Sequence, residues 1–162
     1  MSGDSLGTRP VKTLHATDVE GVEATVYPPP MDEIVKGRFK RKLGDAFGLT
    51  DFGVNLVELA PGAGSSHRHW HAGEDEFVYI LTGEVVMVTD DGETVLTPGM
   101  IAGFPAGQAN GHHLLNRTDR TASILEVGSR RDDDAVEYPD VDMKLTKADG
   151  HLTLTRKDGS AF

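Results

Sequence analysis

The stretch Glu76-Phe77-Val78-Tyr79-Ile80-Leu81-Thr82-Gly83-Glu84-Val85-Val86-Met87-Val88-Thr89-Asp90-Asp91-Gly92-Glu93-Thr94-Val95-Leu96-Thr97-Pro98-Gly99 decides the fold. It holds three short runs rich in branched and aromatic residues, each cut off by turn chemistry at Thr82-Gly83, Asp90-Asp91-Gly92 and Pro98-Gly99. Asp-Gly between apolar runs is a strong hairpin signal, because glycine tolerates the positive φ that tight turns require. Within the first run the period is two: Phe77 and Tyr79 share one face, and Val78 and Ile80 share the other with Glu76. Outward from this stretch the pattern repeats. Phe52 to Leu59 ends at Pro61-Gly62, Met100 to Phe104 ends at Pro105-Ala106-Gly107, and His112 to Asn116 and Ala122 to Val127 complete the series. Short strands at a spacing of roughly ten residues, punctuated by Gly and Pro, predict a sandwich or barrel. Continuous helical periodicity is absent from this region, so the predicted class is all-β.

The flanks read differently. Residues 1–10 read as a frayed tail without an apolar signal region, and Tyr27-Pro28-Pro29-Pro30 as a stiff, extended, polyproline-type arm. Lys36, Arg38, Lys40, Arg41 and Lys42 crowd around Gly37 to Gly44 and read as a solvated edge strand, for which lysines are typical. After Gly128, the run Arg130-Arg131-Asp132-Asp133-Asp134 reads as an exposed charged linker. Val141, Met143 and Leu145 alternate, as do residues 150–155, which predicts a hairpin turning at Ala148-Asp149-Gly150. The organisation is therefore an N-terminal arm and edge strands over 1–50, a barrel core over 51–128, and a charged linker with a C-terminal hairpin over 129–162, all in one domain.

Composition narrows the function classes. A net charge of −10 argues against sequence-independent nucleic-acid binding and against anionic membrane surfaces, since both need a basic face. No window approaches the eighteen or so consecutive apolar residues of a membrane span. The absence of cysteine fits a reducing cytoplasm, and it excludes thiolate nucleophiles, Cys-zinc sites and iron–sulfur clusters. Any metal must rest on His, Asp, Glu or carbonyl ligands.

Candidate ligands of that kind are present. His69 and His71 stand at alternate positions, so on an extended strand they face one point with Trp70 turned away. Glu76 follows the Ala72-Gly73 break at the head of the next strand, and His112 lies four residues before Asn116. Three imidazoles and one carboxylate suit a borderline divalent ion such as zinc, iron, nickel, copper or manganese. His67 is expected to line the mouth or support a ligand, and His113 to point away from His112. Arg68 is expected on the opposite side of the strand from the histidines, in a structural role, and Arg117 and Arg120 in exposed positions.

Two strings of residues resemble a known family. Pro61-Gly62 with His69-Trp70-His71, four residues, Glu76, six residues and Gly83 resembles the first conserved motif of the cupin superfamily. Gly99, five residues, Pro105-Ala106-Gly107 and His112, three residues, Asn116 resembles the second. The second departs in one place: four residues separate Gly107 from His112 where cupins usually have two. Either the loop Gln108 to Gly111 is expanded or Asn110 takes the histidine position; the kept separation of His112 from Asn116 favours expansion. More closely, the Arg68-to-His71 and Gly111-to-Arg117 stretches and the tail at Lys157-Asp158-Gly159 resemble a group of bacterial single-domain cupins, some of which carry a sugar-phosphate isomerase label.

The resemblance implies a double-stranded β-helix (a cupin-type jelly-roll barrel) whose mouth holds one metal on His69, His71, Glu76 and His112. It also implies a small-molecule substrate and a homodimer. The leading functional expectation is a metal-dependent aldose–ketose isomerase acting on a sugar or sugar phosphate. Glu74 is the candidate base, because Glu76 would be occupied as a ligand. A non-heme iron oxygenase and a non-catalytic ligand sensor are the alternatives. Four protein ligands leave about two positions on an octahedral ion, enough for a bidentate hydroxy-carbonyl but not for oxygen as well.

Overall fold

Turns set the frame. Gly83 adopts a φ of 74°, and a Cβ there would come within 2.8 Å of the Ala122 Cα, so this turn both bends left-handed and passes close to another strand. Around it the computed structural model, which describes residues 10–162, is built from thirteen β-strands and three short 3₁₀ segments. The strands are β1 (Gly21–Val22), β2 (Arg38–Lys42), β3 (Phe52–Leu59), β4 (Trp70–His71), β5 (Glu76–Thr82), β6 (Val85–Thr89) and β7 (Gly92–Leu96). They continue with β8 (Ile101–Phe104), β9 (His113–Leu115), β10 (Ala122–Ser129), β11 (Asp134–Glu137), β12 (Lys144–Ala148) and β13 (His151–Thr155). Among the described residues no helix is long and apolar enough to cross a membrane. The tail read from residues 1–10 falls, apart from Pro10, outside the described residues.

Two layers face each other. One is a six-stranded antiparallel sheet in the order β1-β2-β3-β10-β5-β8. The other comprises β13-β12-β11-β4 and β7-β6-β9, connected by a bridge between His69 and His112. The alternation read in β5 is present as predicted: Val78 and Ile80 are buried, whereas Phe77 and Tyr79 are exposed. The inner faces of β3, β5 and β10 contribute Val57, Leu59, Ile80 and Ile124, all fully buried, and closing this core on each such side chain is worth about 1.5–3 kcal/mol. A smaller core of Val136, Tyr138, Met143 and Leu145, with Tyr27 and Met31 packed against it, fastens the C-terminal strands to the barrel.

Three readings of the flanks are corrected. The basic run is not an edge, because β2 lies between β1 and β3. Asp134 is not in an exposed linker. It opens β11, which pairs with both β12 and β4, and its carboxylate is buried. Tyr27 does not extend away on an arm but stacks edge-on against His67 and Tyr138. The C-terminal hairpin forms as expected, with β12 and β13 paired from Lys144↔Thr155 to Ala148↔His151.

Candidate functional site

The turn between β4 and β5 is pinned by Asp75. Asp75 accepts a hydrogen bond from the Ala106 N–H at 2.8 Å, and its own N–H donates to Ser129 Oγ at 2.8 Å. This places Glu76 at the inner start of β5, facing His69, His71 and His112. Their Nε2 atoms lie 3.3, 3.6 and 2.8 Å from the Glu76 carboxylate oxygens. Ligand atoms of His69, His71 and Glu76 all fall within 4.8 Å of one another, and His112 joins them through the same carboxylate. The His112 ring lies flat on Phe104, with centroids 3.5 Å apart and an interplanar angle of 3°.

The opposite edges of two rings are held by acceptors. His69 Nδ1 donates to the His67 carbonyl at 2.9 Å and lies 3.1 Å from Ser66 Oγ. His71 Nδ1 donates to the Asp134 carboxylate at 2.5 Å, and Asp134 also accepts the Gly73 N–H at 2.8 Å. A carbonyl and a carboxylate only accept, so Nδ1 carries the proton and Nε2 turns its lone pair inward. Lone pairs then face the Glu76 oxygens, an arrangement that favours a proton or a cation between them. His112 Nδ1, by contrast, is buried with no partner. Three imidazoles, two of them backed by acceptors, and one carboxylate form a donor set that fits a borderline divalent cation.

Charge follows the same geometry. Burial alone would raise the Glu76 carboxyl, but hydrogen bonds from His112 and His69 outweigh it and hold it well below the usual carboxylate range. Burial works against a charged His69, yet the neighbouring Glu76 overrides it and raises the imidazole above its ordinary value. For His112 burial prevails and lowers it. A second group, His71, Glu74 and Asp134, also brings ligand atoms within 4.8 Å. Its members are already engaged with one another or with Lys147, so it reads as support for His71.

Two cavities share the cluster as a wall. One of about 450 Å³ lies toward Trp70, Met87, Phe104 and Asn110; the other, of about 440 Å³, lies between the large sheet and β11–β13, with Tyr27, Arg38, Lys40, Glu126 and Tyr138 on its walls. Each is within the range of small-molecule sites.

Comparison with known proteins adds a lineage to this geometry. The Cupin domain family matches residues 55–128. The chain is 44% identical to a cupin-superfamily sugar phosphate isomerase from Silicibacter pomeroyi, over 93% of this chain and 96% of that one, with a TM-score of 0.89. The chain belongs to the cupin superfamily. This cupin is also 32% identical to a proposed sugar phosphate isomerase from Acidithiobacillus ferrooxidans, over 77% of this chain and 80% of that one, with a TM-score of 0.70. It is 25% identical to the polyketide cyclase RemF from Streptomyces resistomycificus, over 74% and 80% of the two chains, with a TM-score of 0.61. Among curated proteins there is no match.

Within this cupin, the residues singled out in the sequence fall as follows. His112, rather than Asn110 or His113, reaches Glu76. Asn110 instead bonds the Asp90 N–H and Asp91, and His113 Nδ1 meets the Ser66 carbonyl. Asn116 is a fully satisfied staple, donating to the Leu59 and Arg120 carbonyls and accepting from Thr118. His67 is held by the Met31 carbonyl. Arg68 faces away from the cluster and grips Asp140 and Asp90, and Arg117 pairs with Glu93 at the surface. Glu74, the candidate base, is tied down: its Oε1 accepts the Arg131 N–H at 2.8 Å and meets Lys147 Nζ at 3.3 Å. Sequence reasoning missed Asp134 because its partner lies 63 residues away. It also missed Glu126, although an acid in phase with Ala122 and Ile124 was a readable signal.

Proposed function

We propose that this cupin is a divalent-metal-dependent sugar phosphate isomerase, with His69, His71, Glu76 and His112 holding the ion. The observation that carries the proposal is the convergence of three Nε2 atoms on one carboxylate at a wall shared by two cavities. The nearly full-length similarity to a protein described as a sugar phosphate isomerase supports the reaction class. A bound ion would supply Lewis acidity toward adjacent carbonyl and hydroxyl oxygens of the sugar. The chain's own residues do the rest. The His67 carbonyl and Asp134 fix the tautomers of His69 and His71, and Phe104 fixes the His112 ring.

The test is solvent exchange. Purified protein is loaded in turn with zinc, iron, nickel or manganese and incubated in deuterated water with aldoses, ketoses and their phosphates. Deuterium should appear at the carbon next to the carbonyl for at least one sugar phosphate. No exchange with any sugar or metal, or oxygen consumption by the ferrous protein, would overturn the proposal.

A further inference from the structure

Moving a proton between neighbouring carbons requires a base, and the proposed ligand set leaves none. Asp134 is committed to His71 and Gly73, and Glu74 to Lys147 and Arg131. Burial raises the Tyr27 and Tyr138 hydroxyls above their ordinary values and keeps them protonated. Asp91 sits on an exposed turn and accepts from Asn110 at 2.6 Å. The carboxylate held by a single partner in the cavity beneath the cluster, among the described residues, is Glu126.

Its place follows from register. On β10 the inward positions are Ala122, Ile124, Glu126 and Gly128, and the first two are fully buried. Glu126 pairs with Val78 of β5, while Gly128 pairs with Glu76. Glu126 and Glu76 therefore enter the same space from adjacent strands, offset by one inward position, a diagonal of about 7–8 Å between Cα atoms. Gly128 puts no side chain between them; a Cβ there would lie 3.5 Å from the Asp75 carbonyl oxygen and 3.9 Å from the Glu76 Cγ. Opposite Gly128 on β3 is Gly53, over which the Arg130 guanidinium lies, 3.4 Å from where a Cβ would be.

Glu126 has one partner among the described residues. Lys40 Nζ meets its Oε2 at 2.9 Å, with both side chains only about a quarter exposed (27% and 21%). Such a pair costs desolvation that apolar residues avoid, and the neighbouring row on these strands, Val57 and Ile124, is apolar. Glu126 lines the second cavity together with His69, His71, Glu76 and His112.

We propose that Glu126 is the base that carries the proton between the two carbons, and that Lys40 positions it; this rests on the isomerase proposal above. The carboxylate takes the proton from the hydroxyl-bearing carbon as that C–H pair becomes the carbon–carbon double bond and the carbonyl π pair moves to oxygen. It returns the proton to the former carbonyl carbon while the hydroxyl proton passes to the other oxygen through water. One carbon is oxidised as its neighbour is reduced, so no external oxidant or reductant enters.

The experiment compares wild type, E126Q, E126D and K40M, each metal-loaded, with the sugar phosphate that exchanges best. In E126Q, exchange and kcat should fall by about 10²–10⁴, while metal per chain and sugar-phosphate affinity by calorimetry stay within about threefold. K40M should lower kcat by about tenfold or more while KM and metal per chain stay within about threefold, because the carboxylate loses the group that holds it. A merely structural lysine would not give that split between kcat and KM. Exchange in E126Q within tenfold of wild type would overturn the base assignment while leaving the isomerase proposal standing. Absence of exchange in wild type would overturn both. Should E126Q not fold, E126D and K40M decide: full activity in E126D with an unchanged kcat in K40M removes the proposal.

Discussion

Replacing Asp134 with asparagine tests whether the site depends on support from the opposite sheet. The carboxylate is buried and accepts two hydrogen bonds, from His71 Nδ1 at 2.5 Å and from the Gly73 N–H at 2.8 Å. An asparagine of nearly the same shape offers one oxygen and one NH₂. The oxygen can serve one donor, and the NH₂ then confronts the other. A buried donor without an acceptor costs about 1–3 kcal/mol, and a chain of this size loses about 2–4 °C of Tm per kcal/mol. The variant should therefore melt several degrees below wild type but remain folded.

The effect on metal binding is separate and larger in proportion. Without a carboxylate on Nδ1, His71 is less basic at Nε2 and free to rotate, and losses of this kind weaken metal binding about 10–100-fold, or roughly 1.4–2.7 kcal/mol. Competition against a chelator of known affinity, with zinc at pH 7.5, measures it directly. Asp140→Asn serves as control, because Asp140 bonds Arg68 on the far side of the strand. Zinc affinity within twofold of wild type in a folded Asp134→Asn protein would refute the idea that the Asp134–His71 contact tunes a ligand.

Two other outcomes follow from the geometry. Metal affinity should fall as pH is lowered, beginning above pH 6.5, because Glu76 raises His69 in the ion-free site and a ligand histidine must be neutral. The expected slope is about tenfold per pH unit once His69 titrates, and equal affinity at pH 5 and pH 8 in the same chelator competition would exclude imidazole ligands. Arg68→Ala should lower stability by about 1 kcal/mol, since Asp140 and Asp90 are half exposed and the pairs are screened. The difference should shrink in 1 M salt with metal binding unaltered, and a salt-independent loss would show that packing of the arginine stem, rather than charge, holds the loops.

Legibility in the sequence tracked the range of the interactions. Turn glycines and the period-two run of β5 act over a few residues, and they gave the all-β class and the inward face of Val78, Ile80 and Glu76. The strings around His69–Glu76 and His112 are local as well, and the structure brings those four residues together. Asp134 was not legible, because a run of three aspartates has the composition of a solvated linker and its burial depends on β11 pairing with β4 across the fold. The basic strand was misplaced for a related reason. Lysine at alternate positions describes both an edge and a cavity wall, and only the pairing of β1 over β2 and the carboxylate of Glu126 separate the two. Glu74 was chosen for proximity in sequence, but its neighbours in space include Lys147, 73 residues away.

The division of the site along the chain bears on what kind of information a fold assignment carries. The matched Cupin domain spans residues 55–128 and contains all four proposed ligands and Glu126. Lys40, Asp134, Tyr27 and Tyr138 lie outside it, yet they orient His71, position Glu126 and wall the second cavity. The matched barrel thus contains all the proposed ligands and the whole lining of the first cavity, whereas the flanking strands supply part of the wall of the second. Similarity that extends through those flanks, as with the Silicibacter pomeroyi protein over 93% of this chain, is therefore a stronger guide to reaction than a shared barrel. The sharpest separation between them is the behaviour of Glu126 and Asp134 variants: one should lose turnover with metal retained, the other should lose metal with the base retained.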